Sequence, residues 1–122
     1  MGTIIKLYKT YMQDRTVIDM GFLNMFGKEL SLEEGIKAQQ ETKGSVLLDV
    51  RSEGEYAEGH LEGSVNIPLN KLAGIDLPKE TPLFVYCLSG ARAGRAVTFL
   101  TKMGYKAVNI GGVSGHESKL VR

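Results

Sequence analysis

The residues of this chain best suited to chemistry fall in one short stretch, Cys87-Leu88-Ser89-Gly90-Ala91-Arg92. Cys87 is the only cysteine, which excludes an intramolecular disulfide and a cysteine-based zinc site. A lone cysteine is either an inert filler of the core or a reactive thiol, and its surroundings decide between the two. Here it stands between an apolar run, Pro82-Leu83-Phe84-Val85-Tyr86, and a segment with helical spacing of apolar residues. In parallel sheets such a strand-to-helix loop collects ligands at the carboxyl edge and turns backbone N–H groups and a helix dipole inward. Gly90 permits a tight curve, and Arg92 adds a fixed positive charge with a fork of donors. Each feature stabilises a thiolate. The same cradle would bind an anionic sulfur donor and then hold the terminal sulfur of a persulfide, a two-step chemistry that needs one cysteine and neither metal nor organic cofactor.

The elements that must position this loop are legible around it. Ser31 and Glu34 have capping-box spacing, and Leu32, Ile36 and Ala38 form the apolar side of the helix they start, which Gly44 is expected to end. Val46-Leu47-Leu48-Asp49-Val50 suits a strand buried on both faces. A brief helix over residues 53–58 stops at Gly59, Val65-Asn66-Ile67 reads as a strand ended by Pro68, and residues 69–73 as one helical turn. Ala91 to Met103 is a helix with Ala96, Val97, Phe99, Leu100 and Met103 as its apolar face and Gly104 as its stop. Lys106 to Ile110 is the last strand, followed by Gly111-Gly112. Strands alternating with helices imply a parallel sheet covered on both faces.

At these residues the sequence resembles the rhodanese family, which includes small single-domain sulfurtransferases. The loop is similar to that family's Cys-x-x-Gly-x-Arg pattern, carried by Cys87, Gly90 and Arg92. Upstream, Asp49-Val50-Arg51, Glu55-Tyr56 and the run from Gly59-His60-Leu61 through Gly63-Ser64 to Asn66-Ile67-Pro68 resemble a second signature, with Ser64 where alanine is usual. Gly111-Gly112 matches the double glycine after the last strand. The resemblance implies an α/β three-layer sandwich with a central five-stranded parallel sheet, helices on both faces, and the active loop after the fourth strand. It also implies Cys87 as the catalytic nucleophile, with thiosulfate or a persulfide as donor. The acceptor would be cyanide, or an external thiol such as glutathione or a thioredoxin-like protein. Leu88, Ser89, Gly90, Ala91 and Arg92 would bind the substrate. Two departures stand out: Leu88 where many relatives carry arginine, and Val113-Ser114-Gly115-His116 where a tryptophan is common. One positive charge fewer predicts weaker thiosulfate binding.

The supporting residues admit plainer readings. Asp49 and Arg51 lie at a strand end on the cysteine's sheet edge. They would tune the site or, with Glu55, brace adjoining loops through hydrogen bonds. His60, set between Gly59 and Gly63, reads as a structural residue in a turn more readily than as a general base. Arg95 and His116 are expected to face solvent, and Asn66 and Pro68 to serve turns.

Two rival functions are compatible with the same residues. Cysteine phosphatases and arsenate reductases also cradle an oxyanion between cysteine and arginine, but with one residue more than Leu88, Ser89, Gly90 and Ala91 provide. The shorter loop suits a sulfur atom better than a tetrahedral oxyanion. A non-catalytic binding or regulatory module on the same fold is the other rival.

Composition bounds the rest. The chain has 122 residues, 43% hydrophobic, and 15 basic against 14 acidic residues give a net charge of +1. That fits one globular domain and points to neither nucleic acid nor a membrane surface as partner. No apolar run approaches a membrane span, and Ile4, Ile5 and Leu7 are too few for a signal-peptide core, so a cytoplasmic protein is expected. Residues 1–28 differ in character from the domain at 29–122. They carry aromatic clusters (Tyr8 and Tyr11, then Phe22 and Phe26) and read as a loose extension or a docking or dimerisation segment, with Met20 as an alternative start.

Overall fold

A computed structural model describes residues 30–122; the expectations for the N-terminal extension lie outside the described residues. The first helix, α1 (Leu32–Glu41), starts as its sequence requires. The Glu34 N–H donates to the Ser31 hydroxyl at 3.1 Å, and the Ser31 N–H donates to the Glu34 carboxylate at 3.0 Å. It ends at Glu41, three residues before Gly44, with Thr42 as its cap, whose hydroxyl donates to the Ala38 carbonyl. The remaining elements are β1 (Val46–Asp49), α2 (Glu53–Glu58), β2 (His60–Leu61), β3 (Val65–Asn66), a 3-10 turn (Leu69–Gly74) and β4 (Leu83–Cys87). After them come α3 (Ala91–Lys102), β5 (Ala107–Gly112), a second 3-10 turn (Glu117–Lys119) and β6 (Leu120–Val121).

The central sheet runs β3-β1-β4-β5, all parallel, with β4 in the interior. Among the described residues it has four strands, where five were expected. One short strand, β2, is diverted: it pairs antiparallel with β6, His60 opposite Val121 and Leu61 opposite Leu120. That second sheet ties the C-terminal segment to the loop after α2.

Alternation along the strands sorts side chains into two cores. Leu47, Phe84, Tyr86 and Ile110 face α1, packing with Leu32 and Ala38. Leu48, Leu83, Val85 and Cys87 face α3, packing with Ala93, Ala96 and Leu100. Helix, sheet and helix thus form three layers. Phe99, expected on the apolar face of α3, is instead 40% exposed, while Ala93 is fully buried. The helix meets the sheet along Ala93, Ala96 and Leu100, and a side chain at 99 falls off that line. Among the described residues no helix is long and apolar enough to cross a membrane.

Candidate active site

Position 87 is the last of β4, and strand alternation turns its side chain toward α3 rather than α1. The sulfur therefore lies under the N-terminus of that helix. It accepts the N–H of Gly90 at 2.9 Å and that of Ala93 at 3.3 Å. These are N–H groups that a helix leaves without intrahelical partners, and they place partial positive charge against the sulfur. Gly90 caps α3 with φ +101°, a left-handed conformation that suits glycine, and this bend brings its N–H round to the sulfur. Cys87 is fully buried, yet Leu88, Ser89 and Ala91 above it are exposed.

The last strand secures the loop from the other side. The register of β5 on β4 slips after Val85, which faces Asn109, so that Tyr86 faces Gly111 and Ile110 is left over as a bulge. The displacement carries Gly112 against the loop backbone. A Cβ on Gly112 would collide with the Leu88 carbonyl and lie 2.7 Å from the Ser89 carbonyl carbon. Val113 and Ser114 donate their N–H groups to the carbonyls of Cys87 and Leu88 at 3.0 and 2.9 Å. The Asn109 amide donates to the Gly90 carbonyl at 3.0 Å while its oxygen accepts the Gly111 N–H at 2.8 Å. Asn109 was missed in the sequence, where only the bulge could have revealed its aim.

Arg92, expected to serve the loop directly, pairs with Glu55 through two parallel bonds, Nη1–Oε1 at 2.8 Å and Nη2–Oε2 at 3.0 Å. Glu55 is itself anchored as the reciprocal cap of Ser52 on α2, a second capping box that its Ser-x-x-Glu spacing makes legible. The Arg92 guanidinium, aided by the Ser52 bonds and opposed by partial burial, pulls the Glu55 pKa down to about 2. The ion pair joins α3 to α2 and leaves the guanidinium neutralised beside the loop. Arg95, one turn on, is exposed as expected.

Asp49 and Arg51 form a buried pair. Nε of Arg51 donates to both Asp49 oxygens at 3.1 Å, Nη2 to Oδ2 at 2.8 Å, and Nη2 also to the Gly59 carbonyl at 2.7 Å. Asn66 donates to the carbonyls of Asp49 and Arg51, both at 3.0 Å. These bonds brace the loops between β1, α2 and β3. On the α1 side the Tyr86 hydroxyl, its pKa raised by burial, accepts the Leu61 N–H and meets the Ser64 hydroxyl, each at 3.0 Å. Ser64, where alanine is usual in the family pattern, thus has a partner that alanine would lack.

His60 begins β2 rather than occupying a turn, because β6 supplies a partner strand. Its Nδ1 donates to the Tyr56 carbonyl at 2.8 Å, and its ring stacks on Tyr56 with centroids 3.7 Å apart. The hydrogen bond and the stacking both tie the ring to Tyr56 of α2. His116 is not fully solvent-facing: its Nδ1 lies 3.6 Å from Glu33, and its side chain is 32% exposed.

A cavity of about 550 Å³ opens beside the loop. Leu88, Val113 and Leu120 give it apolar wall, while Arg51, Glu55 and Gly59 stand on the side of the α2 loop.

The described residues form a parallel α/β sandwich with a buried cysteine held at a strand-to-helix bend. The model of the rhodanese-like domain family matches residues 32–118, most of the chain, and the chain belongs to that family. It is 37% identical over 71 residues to thiosulfate sulfurtransferase PspE of Escherichia coli, covering 54% of this chain and 68% of that one. To the adenylyltransferase and sulfurtransferase uba4 of Ogataea parapolymorpha it is 43% identical over 63 residues, 49% of this chain and 16% of that one. A solved Staphylococcus saprophyticus protein shares the fold with a TM-score of 0.68 at 23% identity, covering 78% of this chain and 99% of the other. The chain spans less than two thirds of the length of several curated relatives it matches.

Proposed function

We propose that this chain is a sulfurtransferase that works through a persulfide on Cys87. The observation that carries this reading is the pair of N–H groups, from Gly90 and Ala93, aimed at one sulfur at the end of β4. In the first step the Cys87 thiolate attacks the outer sulfur of thiosulfate or a persulfide. The new S–S bond forms as the donor's own breaks, and sulfite or a thiolate leaves with the electron pair. In the second step an external thiol or cyanide attacks the outer sulfur, and the Cys87 thiolate is regenerated. The acceptor is external because the chain has no second cysteine.

In this reading the donor's outer sulfur reaches the buried Cys87 past the exposed residues Leu88, Ser89 and Ala91, and the rest of the donor stays outside the loop. Sulfurtransferase relatives such as PspE of Escherichia coli support the class of reaction. Glutathione, a thioredoxin-like protein and cyanide are the acceptors this reading offers, and the cytoplasm the compartment. Asp49, Arg51 and His60 enter as supports of the loop's surroundings.

Intact-protein mass spectrometry after brief exposure to thiosulfate or a persulfide tests the reading. A gain of about 32 Da that thiol reductant removes and Cys87→Ser lacks is expected. No gain with any donor, or an equal gain in Cys87→Ser, would sink it.

A further inference from the structure

The charges around the cavity bear on which donor it takes. Two arginines beside the cysteine loop already have a carboxylate. Arg92 is held by Glu55 and Arg51 by the buried Asp49. At position 88, at the loop's mouth, stands a leucine side chain that is 43% exposed. The cavity wall also carries Glu58 and Glu117, both exposed and neither in an ion pair among the described residues. The other cation on the cavity wall is Arg122, whose Nε donates to the backbone carbonyl of Glu58 at 3.1 Å. With Arg51 paired to Asp49 and Glu55 to Arg92, the wall presents two further carboxylates, Glu58 and Glu117, against one further guanidinium, that of Arg122. Leu88, Val113 and Leu120 supply the apolar part between them and the loop, and the Val113 N–H is bonded to the carbonyl of Cys87 itself.

Among the described residues, a dianion such as thiosulfate finds no unpaired cation within Leu88 to Arg92 and meets net negative charge on the cavity wall. A zwitterion with a short apolar stem fits better: an ammonium group toward Glu58 and Glu117, a carboxylate toward Arg122, and methylene and sulfur over Leu88 and Val113. We propose that the cavity selects a small zwitterionic organic persulfide, of which cysteine persulfide is the simplest, and disfavours the thiosulfate dianion. This rests on the sulfurtransferase reading and names its donor class. The step balances without any oxidant or reductant. The Cys87 thiolate attacks the outer sulfur, the Sγ–S bond forms, the donor S–S bond breaks, and the donor leaves as a thiolate that takes up the persulfide's proton or one from solvent.

The test follows Cys87 persulfide formation by intact mass with thiosulfate, glutathione persulfide and cysteine persulfide, at low and high salt. It uses the full chain and its Glu58→Gln/Glu117→Gln variant. Donors differ in intrinsic reactivity, so the change in their ratio between the two proteins is what is read. Neutralising the two carboxylates is expected to raise the thiosulfate rate, lower the cysteine persulfide rate, and shift their ratio by about tenfold. In the unaltered protein, salt is expected to speed thiosulfate by screening repulsion. Glutathione persulfide, with its net negative charge, should follow thiosulfate in both respects. The two side chains are exposed, and an unchanged thermal transition verifies that the variant is folded. A ratio that does not move, or a thiosulfate rate that falls with salt, overturns the donor assignment while the +32 Da product keeps the sulfurtransferase reading. Absence of that product with all three donors defeats both.

Discussion

The carbonyl of Leu88 occupies the space that a Cβ on Gly112 would need. The residue after the candidate nucleophile is thus pressed against the strand that closes the sheet. The Ser114 N–H holds the same carbonyl at 2.9 Å. Gly112 sets how close the loop can sit, and with it where the N–H groups of Gly90 and Ala93 meet the sulfur. Gly112→Ala is expected to cost about 1–3 kcal/mol in unfolding free energy through overpacking. It is also expected to slow Cys87 persulfide formation by at least about tenfold, because small displacements at a reacting atom are expensive in rate. Chemical denaturation and timed intact-mass measurements check the two effects separately.

The Arg92–Glu55 pair is expected to act as a unit. Arg92→Ala removes the guanidinium and leaves an uncompensated carboxylate near the loop, so anionic-donor turnover should fall by roughly 10- to 100-fold. Glu55→Gln does the reverse: it frees the arginine and should raise turnover with thiosulfate. A double-mutant cycle with both changes should show a coupling of about 1 kcal/mol or more in kcat/KM. Additive effects would mean that the pair bears on the fold alone.

Asp49 and Arg51 are 0% and 4% exposed, which makes their pair costly to break from one side. Asp49→Asn strands a buried guanidinium and is expected to destabilise the protein by about 3–5 kcal/mol. The midpoint of urea unfolding reads this loss directly. An effect under about 1 kcal/mol would show that water reaches Arg51.

Stability should also depend on Glu55 at acid pH. Its folded pKa, about 2, lies below the ordinary 4.5, so the folded state binds its proton less readily than the unfolded state. The contribution is complete above about pH 4.5 and is lost as pH falls toward 2. With 30% exposure of both partners the effect is screened, to about 1 kcal/mol. Glu55→Gln should flatten that part of the stability profile; an unchanged acid limb would refute the assignment.

Local signals carried much of the architecture. The capping box at Ser31 and Glu34, the helix over Glu53–Glu58 stopped by Gly59, and the strand leading into Cys87 were all readable, because each rests on contacts within a few residues. The cysteine loop was readable too, since its strand-loop-helix order already dictates N–H groups at the sulfur.

What the sequence by itself determined was therefore the chemistry available: one cysteine, a glycine bend and a charged residue at the start of a helix. Tertiary structure decided how that chemistry is held. The aim of Asn109 depends on a bulge between β4 and β5, the pairing of β2 with β6 joins residues about sixty positions apart, and the neutralisation of Arg92 by Glu55 needs α2 beside α3. None of these leaves a local trace. Each depends on how separate segments meet in the folded chain, and backbone spacing along the sequence does not encode that meeting.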